Sequence, residues 1–308
     1  MHGMEIKNRS IKASRGFMHM RYIIHIHFLA FAAIFIGLIG LVGLISLISP
    51  IRLIGPISFI RPIPTAEASL GAGNSPLMSL NSGLVGYWTF DGQDTNWATG
   101  QVFDRSGNKN TGTLTNMSTS TSPAIGKFGQ AFRFDGVNDY VDITGNPSSL
   151  QITSNLTISA WVKARSFPNG DDNYIVTKTS GIGEVAYKLG ATIDNAVEQF
   201  SIAVSVDGTS LARRYTSTTI KADQYYHVVG VYDASSQTLN IYINGALNNG
   251  TLAGAAVPAS IFNSSGDVLL GKYEADPSRN FNGLIDDVRI YNRALSATEI
   301  RQLYNMGR

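Results

Sequence analysis

The sequence contains no cysteine. That excludes disulfide staples, thiol nucleophiles and Cys-based zinc or iron–sulfur sites, so any exported domain must be held together by its own apolar core. Charged residues are sparse, at 15%. Histidine is nearly absent from the larger part of the chain: after His27 only His227 remains. Past residue 82, glutamate occurs only at Glu184, Glu198, Glu274 and Glu299. General acid–base catalysis therefore has few groups to draw on. A basic face is also missing where it would matter. Residues 1–68 hold seven Lys/Arg against two Glu, so the formal +2 of the whole chain leaves the rest at −3. Non-specific nucleic-acid binding, which needs a Lys/Arg surface, is not expected there.

What the amino-terminal part does have is a long apolar run. Residues 1–22 are polar and basic, and residues 23–49 contain no Asp, Glu, Lys or Arg. Twenty-seven such residues exceed the roughly 20 that span a bilayer. Positive charge ahead of the run keeps the amino terminus in the cytoplasm and sends the remainder outside. Pro50, Pro56, Pro62 and Pro64 stop a helix from continuing, and Ala66-Glu67-Ala68 has the A-x-A form of a signal-peptidase site. Two readings stand: an uncleaved transmembrane anchor, or a signal segment cut after Ala68. Both place the folded domain outside, at the cell membrane or secreted. Residues 50–82 read as a Pro-rich and then small-residue linker, and residues 83–308 as one domain.

That domain is patterned as strands. Apolar, β-branched and aromatic residues recur in short runs at 84–90, 131–134, 140–143, 156–163, 173–178, 186–189, 198–206, 225–232, 238–243, 267–270 and 284–291, divided by Asp135-Gly136, Asn169-Gly170, Asp207-Gly208 and Asn244-Gly245. Such spacing predicts an all-β sandwich or barrel. One helix is expected, at the carboxyl end: Ser296 and Glu299 form a capping box, Ile300 and Leu303 an apolar stripe, and Gly307 a C-cap. A helix of two to three turns must dock on the sheets. The run 281–291, FNGLIDDVRIY, alternates from Asp287 onward, which puts Asp287 and Arg289 in water and Val288 and Ile290 on the core. Asp286 shares the parity of Val288 and Ile290. A carboxylate facing the core must accept backbone N–H bonds, pair with Arg133 or Arg289, or bind a cation.

In order, the segments LVGYWTFD (84–91), DRSGNKNTGTL (104–114), GKFGQAFRFDGVNDYVDI (126–143), LTISAWVK (156–163), YYHVVGVYDASSQTLNIYING (225–245), LLGK (269–272) and FNGLIDDVRIYNRALSATEIRQLY (281–304) resemble the laminin-G-like (LamG-like) group of the concanavalin A-like lectin/glucanase superfamily. Tyr226 stands where the family has Trp. The resemblance implies a jelly-roll sandwich of two antiparallel sheets of six or seven strands, one concave. It does not imply one function.

The glucanase branch works through a Glu-x-Asp-x-x-Glu motif, with two carboxyls about 5 Å apart. None of the four glutamates stands in such a motif. Asp171-Asp172 beside Asn169-Gly170 read as a solvated loop, and His227, the one histidine a Ser-His-Asp triad would have to use, lies inside a strand. The domain is not expected to be an enzyme. The resemblance also implies a structural calcium, held by Asp286 with carbonyl oxygens from the region of Asp91 and from Gly136; residues 104–108 are a second oxygen-rich loop. Calcium suits such a set, being a hard cation that takes 6–8 oxygens. Tyr174, Tyr187, Phe200, Tyr215 and Tyr273 are candidate sugar-stacking aromatics. Trp88 and Trp161 read as core, and Trp97 as a loop residue. No ligand-binding residue is singled out from these. Two functions remain open: a lectin-like module engaging glycan, or an adhesion or structural module engaging a cell-surface protein.

Overall fold

A computed structural model describes residues 80–307, apart from 167–172, 182, 195–196 and 275. The chain divides into two units, Met1–Ser69 and Leu70–Arg308, and all described residues lie in the second. The apolar run 23–49 and the Ala66–Ala68 motif fall outside the described residues. Among the described residues no helix is long and apolar enough to cross a membrane.

Among the described residues eighteen strands build two antiparallel sheets. They are β1 Leu84–Trp88, β2 Thr95–Asn96, β3 Gln101–Val102, β4 Gly112–Thr115, β5 Pro123–Ile125, β6 Gln130–Asp135, β7 Tyr140–Ile143, β8 Leu156–Ala164, β9 Asn173–Thr179, β10 Val185–Asp194, β11 Val197–Ser205, β12 Leu211–Thr216, β13 Tyr226–Asp233, β14 Thr238–Ile243, β15 Ala246–Leu247, β16 Asn249–Gly254, β17 Val268–Leu270 and β18 Asn282–Tyr291. One sheet runs β15-β14-β13-β8-β18-β6-β5, with β1 also paired to β18; the other runs β16-β12-β11-β10-β9-β17-β7-β4-β3-β2. The sheets thus hold eight and ten strands, above the six or seven expected, because two- and three-residue pieces extend their edges. The predicted strands 140–143 and 238–243 are found with those bounds.

Between the sheets lies one apolar cluster that includes Trp88, Phe132, Phe134, Ile158, Val162, Tyr187, Ile202, Val228, Ile241, Ile285 and Ile290. Burial of that many large side chains is the main stabilising term of a cysteine-free domain. Contact between the layers is close: a Cβ on Gly230 of β13 would lie 2.7 Å from Ile202 of β11. At the β14–β15 hairpin, Asn244 and Gly245 take φ of 52° and 78°, the positive pair that a two-residue turn of matching twist requires.

A second apolar cluster covers the outer face of the eight-stranded sheet. Helix α1, Ala297–Met306, buries Ile300 and Leu303 there against Val229, Val231, Tyr242 and Tyr291. Its capping box forms as read from the sequence, and Glu299 also pairs with Arg293 at 2.8 Å. Gly307 caps the helix, but at φ −97° rather than in the left-handed region. Glycine is needed there for another reason: a Cβ would lie 2.6 Å from the Trp161 ring and 2.8 Å from that of Phe128.

The last strand departs from the alternation expected of it. Asp286 lies opposite Trp161 on β8, and Arg289 lies opposite Ser159. Three steps on β18 therefore match two on β8. The extra residue is a β-bulge, with Asp287 at φ +54°. Ahead of the bulge β18 pairs with β6, and beyond it with β1. Directly opposed residues share a face, so Asp286 points with Trp161 to the outer face, not with Val288 and Ile290 to the core. Asp287 and Arg289, expected in water, are buried. They pair at 3.1 Å, and the Arg289 guanidinium stacks 4.3 Å from the Tyr87 ring while donating to its hydroxyl.

Candidate functional site

Asp286 is fully buried, and the structure shows what buries it. The turn between β5 and β6, residues 126–129, folds over its carboxylate. Oδ2 accepts the backbone N–H groups of Lys127 at 2.7 Å and Phe128 at 2.9 Å. Oδ1 has no partner. Burial, with the charges of Asp287 and Asp91 adding to it, raises the Asp286 pKa to about 7 against the pull of the two N–H bonds. Asp91 grips the other end of the same turn, accepting from Gln130 N at 2.8 Å. Gly126 and Gly129 make that grip possible: a Cβ on Gly126 would lie 2.5 Å from Asp286 Oδ2, and one on Gly129 would lie 2.2 Å from Asp91 Oδ1.

Of the three proposed calcium ligands, then, Asp286 and Asp91 meet at one turn and Gly136 does not join them. Gly136 packs on Asn282, four residues along β18 from Asp286, or about 13 Å at the rise of a strand. The turn that does reach Asp286 is the G-x-x-G of 126–129, present in the sequence as GKFGQ but not assigned this part. Asp286 was expected to take N–H bonds, an arginine or a cation. It takes two N–H bonds, while Arg289 goes to Asp287. The unpartnered Oδ1, with Asp91 and Asp287 close enough to raise its pKa, suits a hard cation. It would supply one oxygen of the several calcium needs. No group of three or more metal-ligating side chains converges among the described residues. In the 104–108 loop, Asp104 is taken up by the N–H groups of Tyr87, Ser106 and Asn110.

The candidate catalytic groups are scattered. Glu299 caps α1, Glu184 is half-buried and hydrogen-bonded to Ser180 and Ser265, Glu274 is exposed, and Glu198 lies on β11. Asp171 and Asp172 lie outside the described residues. His227 is buried beside Ser159, with 2.9 Å from its Nε2 to the hydroxyl. Its ring is 5.0 Å from that of Trp161 and 6.1 Å from that of Tyr304 of α1. Burial, then the charge of Arg289, lowers its pKa to about 3. The pair is sealed under the helix, and no carboxylate accepts from Nδ1, so it lacks the substrate access and orienting acid that a nucleophile–base pair requires.

The aromatics separate into two groups. Trp88 is core, its indole N–H donated to Asn110 O. Trp161 is buried as expected, but under α1, stacked 5.6 Å from Tyr304. Tyr187 and Phe200 point into the sandwich, and half-buried Trp97 rests 5.4 Å from Phe132. On the outer face of the ten-stranded sheet the Lys188 ammonium sits 4.8 Å from the Tyr174 ring and 4.7 Å from the Tyr273 ring. The two rings are 4.8 Å apart. Two strands away on that face Tyr215 lies beneath Arg213, at 5.9 Å.

Comparison with known proteins settles the lineage. Residues 135–301 match the laminin-G model described as the concanavalin A-like lectin/glucanases superfamily. The chain belongs to this superfamily. Half of the chain, 157 residues, is 27% identical to adhesion G-protein coupled receptor V1 of Danio rerio, of which it spans 2% of the length. Domain 4 of the extracellular arabinanase AbnA from Geobacillus stearothermophilus, solved with arabinotriose, is similar over 72% of this chain and 98% of its own, at 21% identity and a TM-score of 0.54. The ligand-binding domain of botulinum neurotoxin serotype D, solved with N-acetylneuraminic acid, is similar over 75% of this chain and 53% of its own, at 14% identity and a TM-score of 0.55. Similarity at these identities establishes the shared fold.

Proposed function

We propose that the domain is a non-catalytic carbohydrate-binding module displayed outside the cytoplasmic membrane. The observation that carries this reading is a pair of half-buried rings on the outer face of the ten-stranded sheet: Tyr273, which rests on the buried Tyr174 and Lys188, and Tyr215 beside Arg213. Aromatic faces with a few polar groups are what sugar rings stack on. The arabinanase domain was solved with arabinotriose and the neurotoxin domain with N-acetylneuraminic acid, which supports a saccharide as the ligand class. The basic segment and apolar run at 1–49 support export, with the domain anchored or released. A glycan array probed with the full chain is the test: binding of defined saccharides supports the reading, and an array without signal removes it. Mass spectrometry of the mature amino terminus separates the two forms of export, since a chain starting at Ser69 eliminates the anchor.

A second reading is a protein-binding adhesion module, favoured by the similarity to a receptor named for adhesion. It predicts a silent array together with saturable binding to cell-surface protein. In either reading a structural calcium belongs at Asp286, whose Oδ1 would be its ligand. There the ion would tie the 126–129 turn to β18.

A further inference from the structure

On the outer face of the eight-stranded sheet, beyond the reach of α1, cationic side chains gather on β6 and at the end of β8, on either side of β18. Leu284 of β18 lies opposite Arg133 of β6 on one side and opposite Lys163 of β8 on the other. These three residues therefore share the outer face. Arg165, at the end of β8, joins them around one open pocket of about 280 Å³, which Asp135 and Asp223 also line. Arg133 and Arg165 are exposed and Lys163 is half-buried. Lys163 leans toward the Tyr225 ring at 5.9 Å. Among the described residues, none of the three side chains forms a hydrogen bond or an ion pair, whereas Arg105, Arg279, Arg289 and Arg293 each pair with a carboxylate.

We infer that this pocket binds the anionic group, carboxylate or sulfate, of an acidic saccharide. The inference rests on the carbohydrate reading and adds to it a second face and a ligand class. Cations gathered on β6 and β8, the two strands that flank β18, repel one another, and a bound anion relieves that repulsion. The planar forks of Arg133 and Arg165 match the paired oxygens of a carboxylate or sulfate. Half-exposed Leu284 gives the floor an apolar patch for a ring face. Asp135 and Asp223 argue for a sugar over a uniform polyanion. They accept hydrogen bonds from saccharide hydroxyls, but they repel a nucleic acid or an anionic membrane, as does the −3 of residues 69–308. Asp135 is held rigidly for this by the N–H groups of Val137, Asn138 and Asp139. The pocket size admits one charged ring, not a long groove.

The test is titration calorimetry of the full chain with an oligogalacturonate, a sulfated heparin oligosaccharide, and neutral arabino- and cello-oligosaccharides. Phosphatidylserine vesicles serve as a further arm. The wild type is expected to prefer the acidic oligosaccharides, and Arg133→Gln combined with Lys163→Gln to weaken them about tenfold or more. Neutral binding and the melting temperature should not change. The two acidic probes tell carboxylate from sulfate recognition. Equal affinity for neutral and acidic probes, or acidic binding that survives the double substitution, overturns the inference and leaves the carbohydrate reading standing. Vesicle binding as strong as saccharide binding overturns it in favour of a lipid surface. If no saccharide binds at all, the carbohydrate reading falls and the inference falls with it.

Discussion

Two ends of one sheet face, carried by the same strands, have opposite fates. On β8, Trp161 and Lys163 are two residues apart and point the same way; on β18, so do Asp286 and Leu284. The Trp161 end is roofed by α1 and by the 126–129 turn. It contains a buried carboxylate, a buried histidine and an indole N–H without a partner. The Lys163 end is open, with Arg133 and Arg165 exposed and Lys163 half-buried. Strand pattern alone does not separate the ends. What separates them is which later segment of the chain comes to lie on top. Covering a sheet face with ten helical residues and a glycine turn turns ordinary polar positions into high-stakes ones, because each buried polar atom there must then find a partner.

That contrast can be broken most forcefully at its covered end. Trp161→Ala should cost roughly 3–5 kcal/mol of unfolding free energy, the usual range for a buried large aromatic, because Tyr304, Gly307 and the Lys127 ammonium all rest on that ring. Urea unfolding gives the value, and a cost near zero would mean that the roof is not structural. Next comes acid. His227 is depressed in the fold to about 3, against about 6.5 in an unfolded chain. Protons therefore favour the unfolded state. The stabilisation from neutral His227 is complete above pH about 6.5 and is lost as pH falls toward 3, at about 1.4 kcal/mol per unit. A His227→Asn variant should show a flatter stability profile over that window, and an unchanged slope would assign the acid sensitivity to other groups.

A third experiment concerns the cation. Calcium at about a hundred times its dissociation constant should add about 2.7 kcal/mol and raise the melting temperature by several degrees. Asp286→Ala should abolish the response. If chelator leaves the wild-type melting curve in place, no calcium is bound and the two backbone N–H groups are the only partners of Asp286. The smallest effect belongs to the open end. Lys163→Ala should change stability by no more than about 0.5 kcal/mol, as is usual for a surface side chain that holds no hydrogen bond or ion pair. A loss comparable to that of Trp161→Ala would erase the distinction between the ends.

Much of this architecture is legible in the amino-acid order. Period-two runs with Asn-Gly and Asp-Gly punctuation mark most long strands, and Ser296 with Glu299 marks the start of the helix to the residue. Short edge strands such as Gln101–Val102 and Ala246–Leu247 are not legible, because two residues carry no period. The misreading at Asp286 has a definite physical source. Counting by twos assumes an unbroken strand, and the bulge at Asp287 reverses the parity within it. The same assumption put Asp287 and Arg289 in water, when the first strand and Tyr87 supply their cover. Asp286 and Asp91 were both singled out and do approach one turn; Gly136 came from the resemblance to the glucanase branch, and the part of Gly126 and Gly129 shows only once the turn is folded onto β18. The pocket at Arg133, Lys163 and Arg165 has no local signature, since only the pairing through Leu284 brings residues of β6 and β8 together.

Strand β18 sits between β8 on one side and β6 and β1 on the other, so the last long strand made is a middle plank of the sheet. Leu84 finds its neighbour Tyr291 only after some two hundred residues have been added. Until then β8, β6 and β1 are left with raw hydrogen-bonding edges, the kind that recruit other chains. Closure across so much sequence is intrinsically slow, and a ribosome must finish the job before the domain can. A stop codon ahead of residue 282 would therefore not trim this protein but leave it open down the middle.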